Sequence, residues 1–357
     1  MSDEGNPEAV TLSAAAATGV GSLPGTDVWE SSALVRGELP DFPHLPELPA
    51  RGPGADMIGR ALGLLANVSP DLSAQTSPDG WRFSGAATST PPKLMRRAQS
   101  WLAEDLDAAQ GQWAEFDGNF KLQLCGPWTL AASVELPNGA RAISDRGASR
   151  DLTAALSEAC ALLVADVRRR LPSARIVLQL DEPALPSVLM GGVRTQSGWG
   201  HLPPVEPVVV EQSLTAVIDQ ATAAGALVGI HCCGARPPLD LFRSAGARLI
   251  SLDFSLANSD EDAVGAALES RVTVMAGLVN TMSPVATVKQ TLEPLVSMLH
   301  RLGIPIESAI DQLVITPTCG LAGAGTAEAV RGYYELASTA GAALRNESVG
   351  EQHGRPR

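Results

Sequence analysis

Short apolar runs alternate with longer amphipathic stretches along nearly the whole chain. That alternation predicts a parallel sheet built from repeated strand–helix units. The apolar runs fall at residues 14–20, 81–84, 121–125, 175–180, 227–231, 248–253, 272–278 and 312–316. Amphipathic stretches lie among them at 55–66, 93–116, 150–171, 211–224, 240–245, 260–269, 283–302 and 326–343. Eight strands with intervening helices predict an α/β fold, a (β/α)8 TIM barrel of one domain over residues 13–344. Residues 1–12 and 345–357 are expected to be disordered, the latter being rich in Gly, Glu, Asn and Arg. Residues 37–54 carry many prolines and read as an irregular loop over the barrel mouth.

A doubly wound open sheet is the competing architecture, and it requires a glycine-rich phosphate turn after the first strand. Here Gly19-Val20-Gly21-Ser22-Leu23-Pro24 puts a proline where a helix start would need free N–H groups, which argues against a dinucleotide site.

Composition narrows the class of partner. With 357 residues, 45% apolar and 18% charged, the chain can bury a full core without staples. A net charge of −13 disfavours nucleic acid and anionic lipid surfaces. No apolar run approaches the length of a membrane span. The acidic opening lacks a basic leader pattern, and five cysteines, two of them adjacent, do not make a disulfide framework. A reducing cytoplasm is the expected compartment.

In a parallel barrel the chemistry sits where strands end. His231 and Cys233 are two residues apart at the fifth strand end, so both point to one side while Cys232 points to the other. Asp253 ends the sixth strand and Cys319 follows the eighth. Together His231, Cys233, Asp253 and Cys319 make a candidate tetrahedral Zn2+ shell. Cys125, Cys160 and Cys232 read as buried small hydrophobes. A thiolate-rich zinc is softer than one held by histidines, and it suits activation of a thiol for attack on a methyl group. Gly21 and Ser22 are candidates to hold a substrate carboxylate. Asp181 and Glu182 are candidate catalytic residues, with Asp181 or Glu182 holding an ammonium group.

Several segments then occur in a fixed order: Gly21-Ser22-Leu23-Pro24, Gly126-Pro127, Gln179-Leu180-Asp181-Glu182-Pro183-Ala184-Leu185, His231-Cys232-Cys233, Ile250-Ser251-Leu252-Asp253, Ser283-Pro284 and Pro317-Thr318-Cys319-Gly320-Leu321. Through them the chain resembles the catalytic C-terminal barrel of cobalamin-independent methionine synthase, in the wider group that includes uroporphyrinogen decarboxylase. The resemblance implies that His231, Cys233 and Cys319 ligate zinc, and that Asp253 stands where the family has a glutamate ligand. It implies that Ser22 and Asp181 contact homocysteine, and that 5-methyltetrahydrofolate polyglutamate is the methyl donor. Gly59 stands where the family has an amine-gripping glutamate, and Met282 where bacterial and plant members have a histidine that aids proton transfer. No counterpart of the family's separate N-terminal barrel is expected.

The leading expectation is zinc-dependent methyl transfer to homocysteine, with residues 37–54 and Trp128 covering a folate or other small donor. A methylcorrinoid-to-thiol methyltransferase, which needs a corrinoid protein as partner, is the near alternative. A zinc- or thiol-binding relative that no longer catalyses is the alternative outside enzymes. Porphyrinogen decarboxylation fits least, because an acidic chain with few arginines at its strand ends suits a polyanion poorly.

Overall fold

With one exception, the strands expected from the apolar runs join a single curled sheet. The computed structural model describes residues 12–85, 91–256, 260–282 and 286–354. Its strands are β1 (Ala16–Ala17), β2 (Ala74–Ser77), β3 (Gly80–Phe83), β4 (Asn119–Cys125), β5 (Val134–Glu135), β6 (Arg175–Asp181), β7 (Ala226–Cys232), β8 (Leu249–Asp253), β9 (Thr273–Val279) and β10 (Leu313–Pro317). Seven of them pair in the order β1-β10-β9-β8-β7-β6-β4, every pair parallel. The helices are α1 (Val28–Glu38), α2 (Met57–Val68), α3 (Lys93–Trp113), α4 (Pro127–Ser133), α5 (Arg146–Arg170), α6 (Leu185–Met190), α7 (Pro207–Ala223), α8 (Leu239–Ser244), α9 (Glu261–Glu269), α10 (Val288–Leu302), α11 (Ile306–Ala309) and α12 (Ala327–Gly354). Nearly every residue of β4, β6, β7 and β9 is buried, which is why these strands read as continuous apolar runs rather than alternating ones.

Residues 81–84 are the exception. They belong to β3, which pairs antiparallel with β2 and parallel with β5 in a separate three-stranded sheet. The turn Ser77-Pro78-Asp79-Gly80, with Gly80 at φ 125°, closes a β2–β3 hairpin and draws this run away from the main sheet. The place beside β4 is occupied by residues 43–47, expected as a loop. Leu45 N donates to Lys121 O at 2.8 Å, and Lys121 N donates to Pro43 O at 3.0 Å. On its other side Glu47 N donates to Gly21 O at 3.1 Å, and Leu23 N donates to Glu47 O at 2.8 Å. Pro43 and Pro46 carry no N–H, so the ladder is interrupted and the segment lacks the pattern of a strand.

The concave side of the sheet is layered. Ala16, Phe42, Val177, Leu249, Met275 and Val314 form a buried apolar cluster separate from the core between sheet and helices. Two residues further along most of these strands the same face turns polar. Thr18, His44, Gln179, Ser251 and Thr316, with Lys121 from β4, are all buried. Another two residues on stand Asp181, Asp253 and Thr318, where the strands end. His44 Nε2 lies 2.7 Å from the hydroxyl of Tyr334, which enters from α12. Gly19 leaves the opening for this contact, since a Cβ there would collide with both side chains.

The tail expected from residue 345 is instead helical as far as Gly354, because α12 continues unbroken. Arg345 ties it down by donating to Ala14 O at 2.8 Å. Of the segment 1–12, Leu12 is buried and the rest lies outside the described residues. Among the described residues no helix is long and apolar enough to cross a membrane.

Candidate metal centre

The strand pairing brings distant residues to one point. His231 lies on β7, Cys233 one residue past its end, and Cys319 two residues past β10. The ligand atoms of these three side chains all lie within 4.8 Å of one another. The two Sγ atoms are 3.7 Å apart. Cys232 points the other way into the core, where burial pushes its thiol up to about 12.

His231 is oriented by its neighbour in the sheet. Ser251 pairs with it in register, and its hydroxyl lies 2.9 Å from His231 Nδ1. His231 Nε2 is buried and has no hydrogen-bond partner among the described residues. A buried ring nitrogen left in that state is costly unless something binds it. The Cys233 side chain, followed by the His231 ring, holds the Cys319 thiol well below the usual range. The same pairing, followed by burial, pushes Cys233 up. Of the two thiols, the pairing favours ionisation of Cys319 over Cys233. An orphaned imidazole nitrogen and two thiols, one already acidic, fit a soft divalent cation such as zinc.

The expected substrate contacts border this cluster. Ser22 is half-buried with its hydroxyl against Gly320, the residue after Cys319, where any Cβ would collide with it. Leu321 N donates to Ser22 O at 2.7 Å. Gly21 is pressed against Gln123, whose Cδ would lie 2.6 Å from a Cβ at that position. Asp181 is buried at the end of β6, paired in register with His231. Gln179 Nε2 donates to its Oδ1 at 2.8 Å. Burial raises the Asp181 carboxyl, opposed by His231, Gln179 and Lys121.

Other expected residues lie elsewhere. Glu182 is fully buried and turned away from the cluster to cap α4. Its oxygens accept from Trp128 N at 2.9 Å, and from Thr129 N and the Thr129 hydroxyl at 2.7 Å each. It and Asp181 are consecutive residues leaving one strand, so they face opposite ways. Asp253 lies outside the three-residue group. Its Oδ1 accepts from Ser255 N at 2.9 Å and from the Ser255 hydroxyl at 2.6 Å, closing its own turn. Trp128 is buried, with its indole N–H donating to Val210 O at 3.3 Å, so it packs under α7 rather than over the mouth. Gly59 has no room for a side chain, since a Cβ would come within 2.6 Å of Gly54 Cα and Trp81 Cζ2. Met282 is 90% exposed, and Ser283-Pro284 lies outside the described residues.

Two charged residues near the site escaped sequence reasoning. Lys121 is fully buried on β4, donates to Val20 O at 2.8 Å, and is lowered by burial to about 7. A lysine, a glutamine and a cysteine at alternate positions of one apolar strand were the available signal. Glu47, 5% exposed, is pushed up to about 7 by burial. It sits in the proline-rich segment, where no period marks an inward face.

Known proteins resemble this chain over most of its length. Residues 116–341, well over half of the chain, match the family described as cobalamin-independent synthase, catalytic domain. Among solved structures, a B12-independent methionine synthase from Shewanella sp. W3-18-1 in complex with selenomethionine is similar at a TM-score of 0.57 and 12% identity, covering 95% of this chain and 100% of that one. At that identity the likeness shows a shared fold. A D-psicose 3-epimerase with D-tagatose from Clostridium cellulolyticum H10 is similar at a TM-score of 0.36 and 12% identity, covering 70% of this chain and 82% of that one. No curated protein matches the chain.

Proposed function

Because the chain belongs to the cobalamin-independent methionine synthase family, a family of methyltransferases, we propose that it methylates the thiol of homocysteine to give methionine. The observation that carries this reading is the convergence of His231, Cys233 and Cys319 within 4.8 Å. These three residues would hold zinc, leaving a position for the substrate. Zinc bound by two thiolates and an imidazole lowers the pKa of an added thiol while leaving its sulfur nucleophilic.

The remaining chemistry falls to the chain. Ser22 and the backbone at Gly21 orient the substrate carboxylate beside Cys319. Asp181 accepts from the substrate ammonium. The apolar layer of Phe42, Val177, Leu249 and Met275 closes the floor against water. An S–C bond forms as the bond between methyl and donor breaks, the thiol having already lost its proton. The selenomethionine complex of the Shewanella synthase accords with a pocket for an amino acid carrying a soft chalcogen. We read residues 43–47 as the eighth stave of a barrel spanning residues 13–344, with hydrogen bonds to both edges as the support. A reducing cytoplasm would keep Cys233 and Cys319 as thiols; both are free.

The donor is 5-methyltetrahydrofolate or another small methyl donor. One observation keeps a methylcorrinoid in view. Exposed Met282 cannot protonate a leaving nitrogen, and a departing corrinoid needs no proton. Metal analysis of purified protein should find about one zinc per chain, and about none in His231→Ala. Zinc-loaded protein incubated with homocysteine and each donor in turn should yield methionine by mass spectrometry. Protein that takes up no zinc, or forms no methionine from any donor, sinks the reading.

A further inference from the structure

We infer that Glu47 is a second binding residue for the substrate ammonium, placed opposite Asp181 at the mouth of the sheet. The inference rests on the reading of the site as one for an amino-acid thiol. Glu47 is tied to the substrate segment through its backbone. Its N–H donates to Gly21 O at 3.1 Å, and its carbonyl accepts from Leu23 N at 2.8 Å. Ser22, between those two residues, is its register partner. Glu47 therefore cannot move independently of the group proposed to orient the carboxylate.

Its side chain is only 5% exposed, yet among the described residues its carboxylate has neither a hydrogen bond nor an ion pair. Arg60, which also acts electrostatically on Glu47, is committed to Asp105 at 3.2 Å. Asp181 acts on Glu47 as a like charge, and both residues border the His231 cluster, Asp181 as the register partner of His231 and Glu47 as that of Ser22, which abuts Gly320. Lys121 acts electrostatically on Glu47 and Asp181 alike but donates to Val20 O and pairs with neither. Two buried carboxylates that no cation among the described residues pairs directly are costly, and the cost falls when a cation enters between them.

The geometry selects the kind of cation. A primary ammonium carries three N–H donors and can reach two carboxylates at once. With the sulfur held at that cluster and the carboxylate at Ser22, the α-ammonium is the group left to fill the space between Asp181 and Glu47. Glu47 thus makes the pocket selective for an amino-acid thiol over a simple mercapto acid.

The test uses the zinc-loaded full chain, titrated calorimetrically with homocysteine and with 4-mercaptobutanoate, which lacks only the amine. Wild type should bind homocysteine at least about tenfold more tightly than 4-mercaptobutanoate. Glu47→Gln should weaken homocysteine by about tenfold and change 4-mercaptobutanoate by less than about twofold, with zinc content unchanged. Equal weakening of both thiols, or no change in either, overturns the role of Glu47 while leaving the thiol site standing. A wild type that binds neither thiol overturns the site and this inference together. Should Glu47→Gln fail to fold, Glu47→Asp keeps the charge one methylene further back. It should show the same selective loss, and an equal loss for both ligands overturns the proposal.

Discussion

His231 Nδ1 lies 2.9 Å from the Ser251 hydroxyl, and that contact decides which ring nitrogen is left for a cation. In the tautomer with the proton on Nδ1, the ring donates to Ser251 and presents a free lone pair at Nε2, the buried atom with no partner among the described residues. Ser251→Ala should therefore leave the fold intact and weaken zinc binding by about 10–100-fold. Competition against a chelator of known affinity measures this. Unchanged affinity would show that the ring is held by packing alone.

Asp253 is the residue on which the ligand count turns. Its Oδ1 already accepts two bonds from Ser255, and it lies outside the group formed by His231, Cys233 and Cys319. Asp253→Asn should keep about one zinc per chain, whereas Cys319→Ser should lose most of it. Loss of metal in Asp253→Asn would mean that the carboxylate leaves Ser255 to bind the cation.

Glu182 should prove structural. Three hydrogen bonds from the first turn of α4 end on its carboxylate, and it is fully buried. Glu182→Ala removes a charged cap and leaves two buried backbone N–H groups unpaired, at a cost of about 2–3 kcal/mol. Urea unfolding should show that loss while zinc content stays at the wild-type level. A stable Glu182→Ala that fails in catalysis would return this residue to the reaction.

The sequence shows some of this arrangement more readily than the rest, for physical reasons. Strands buried on both faces appear as apolar runs, so β4, β6, β7, β8, β9 and β10 were legible, and with them the strand ends that carry His231, Cys233 and Cys319. The run at 81–84 reads as a stave through Trp81 and Phe83, but the Pro78-Asp79-Gly80 turn folds it into a hairpin, a choice made by local turn chemistry. Residues 43–47 were illegible because Pro43 and Pro46 remove the donors that would make a regular ladder. The helix α1 was missed although Asp27 caps it through Trp29 N and Glu30 N, a signal visible in Asp27-x-x-Glu30. Which way a terminal carboxylate turns depends on neighbours far along the chain. Thr129 claims Glu182, Ser255 claims Asp253, and nothing among the described residues claims Glu47.

His44 should give the fold a dependence on acid. Burial, and then the charge of Lys121, lowers its ring from 6.5 to about 3, so it stays neutral in the folded chain. The unfolded chain takes up a proton at this position near 6.5, and the folded chain does not until about 3. Between those values the unfolded state binds more protons, so stability rises with pH and falls as the solution is acidified. The contribution of His44 is complete above 6.5 and shrinks by up to about 1.4 kcal/mol per pH unit toward 3. His44→Gln, which keeps a partner for the Tyr334 hydroxyl, should flatten the profile by about one proton. Urea unfolding of zinc-free protein at pH values from about 7 down to about 5 measures the two slopes. Parallel slopes would mean that the ring is protonated inside the sheet, which the nearby Lys121 ammonium opposes.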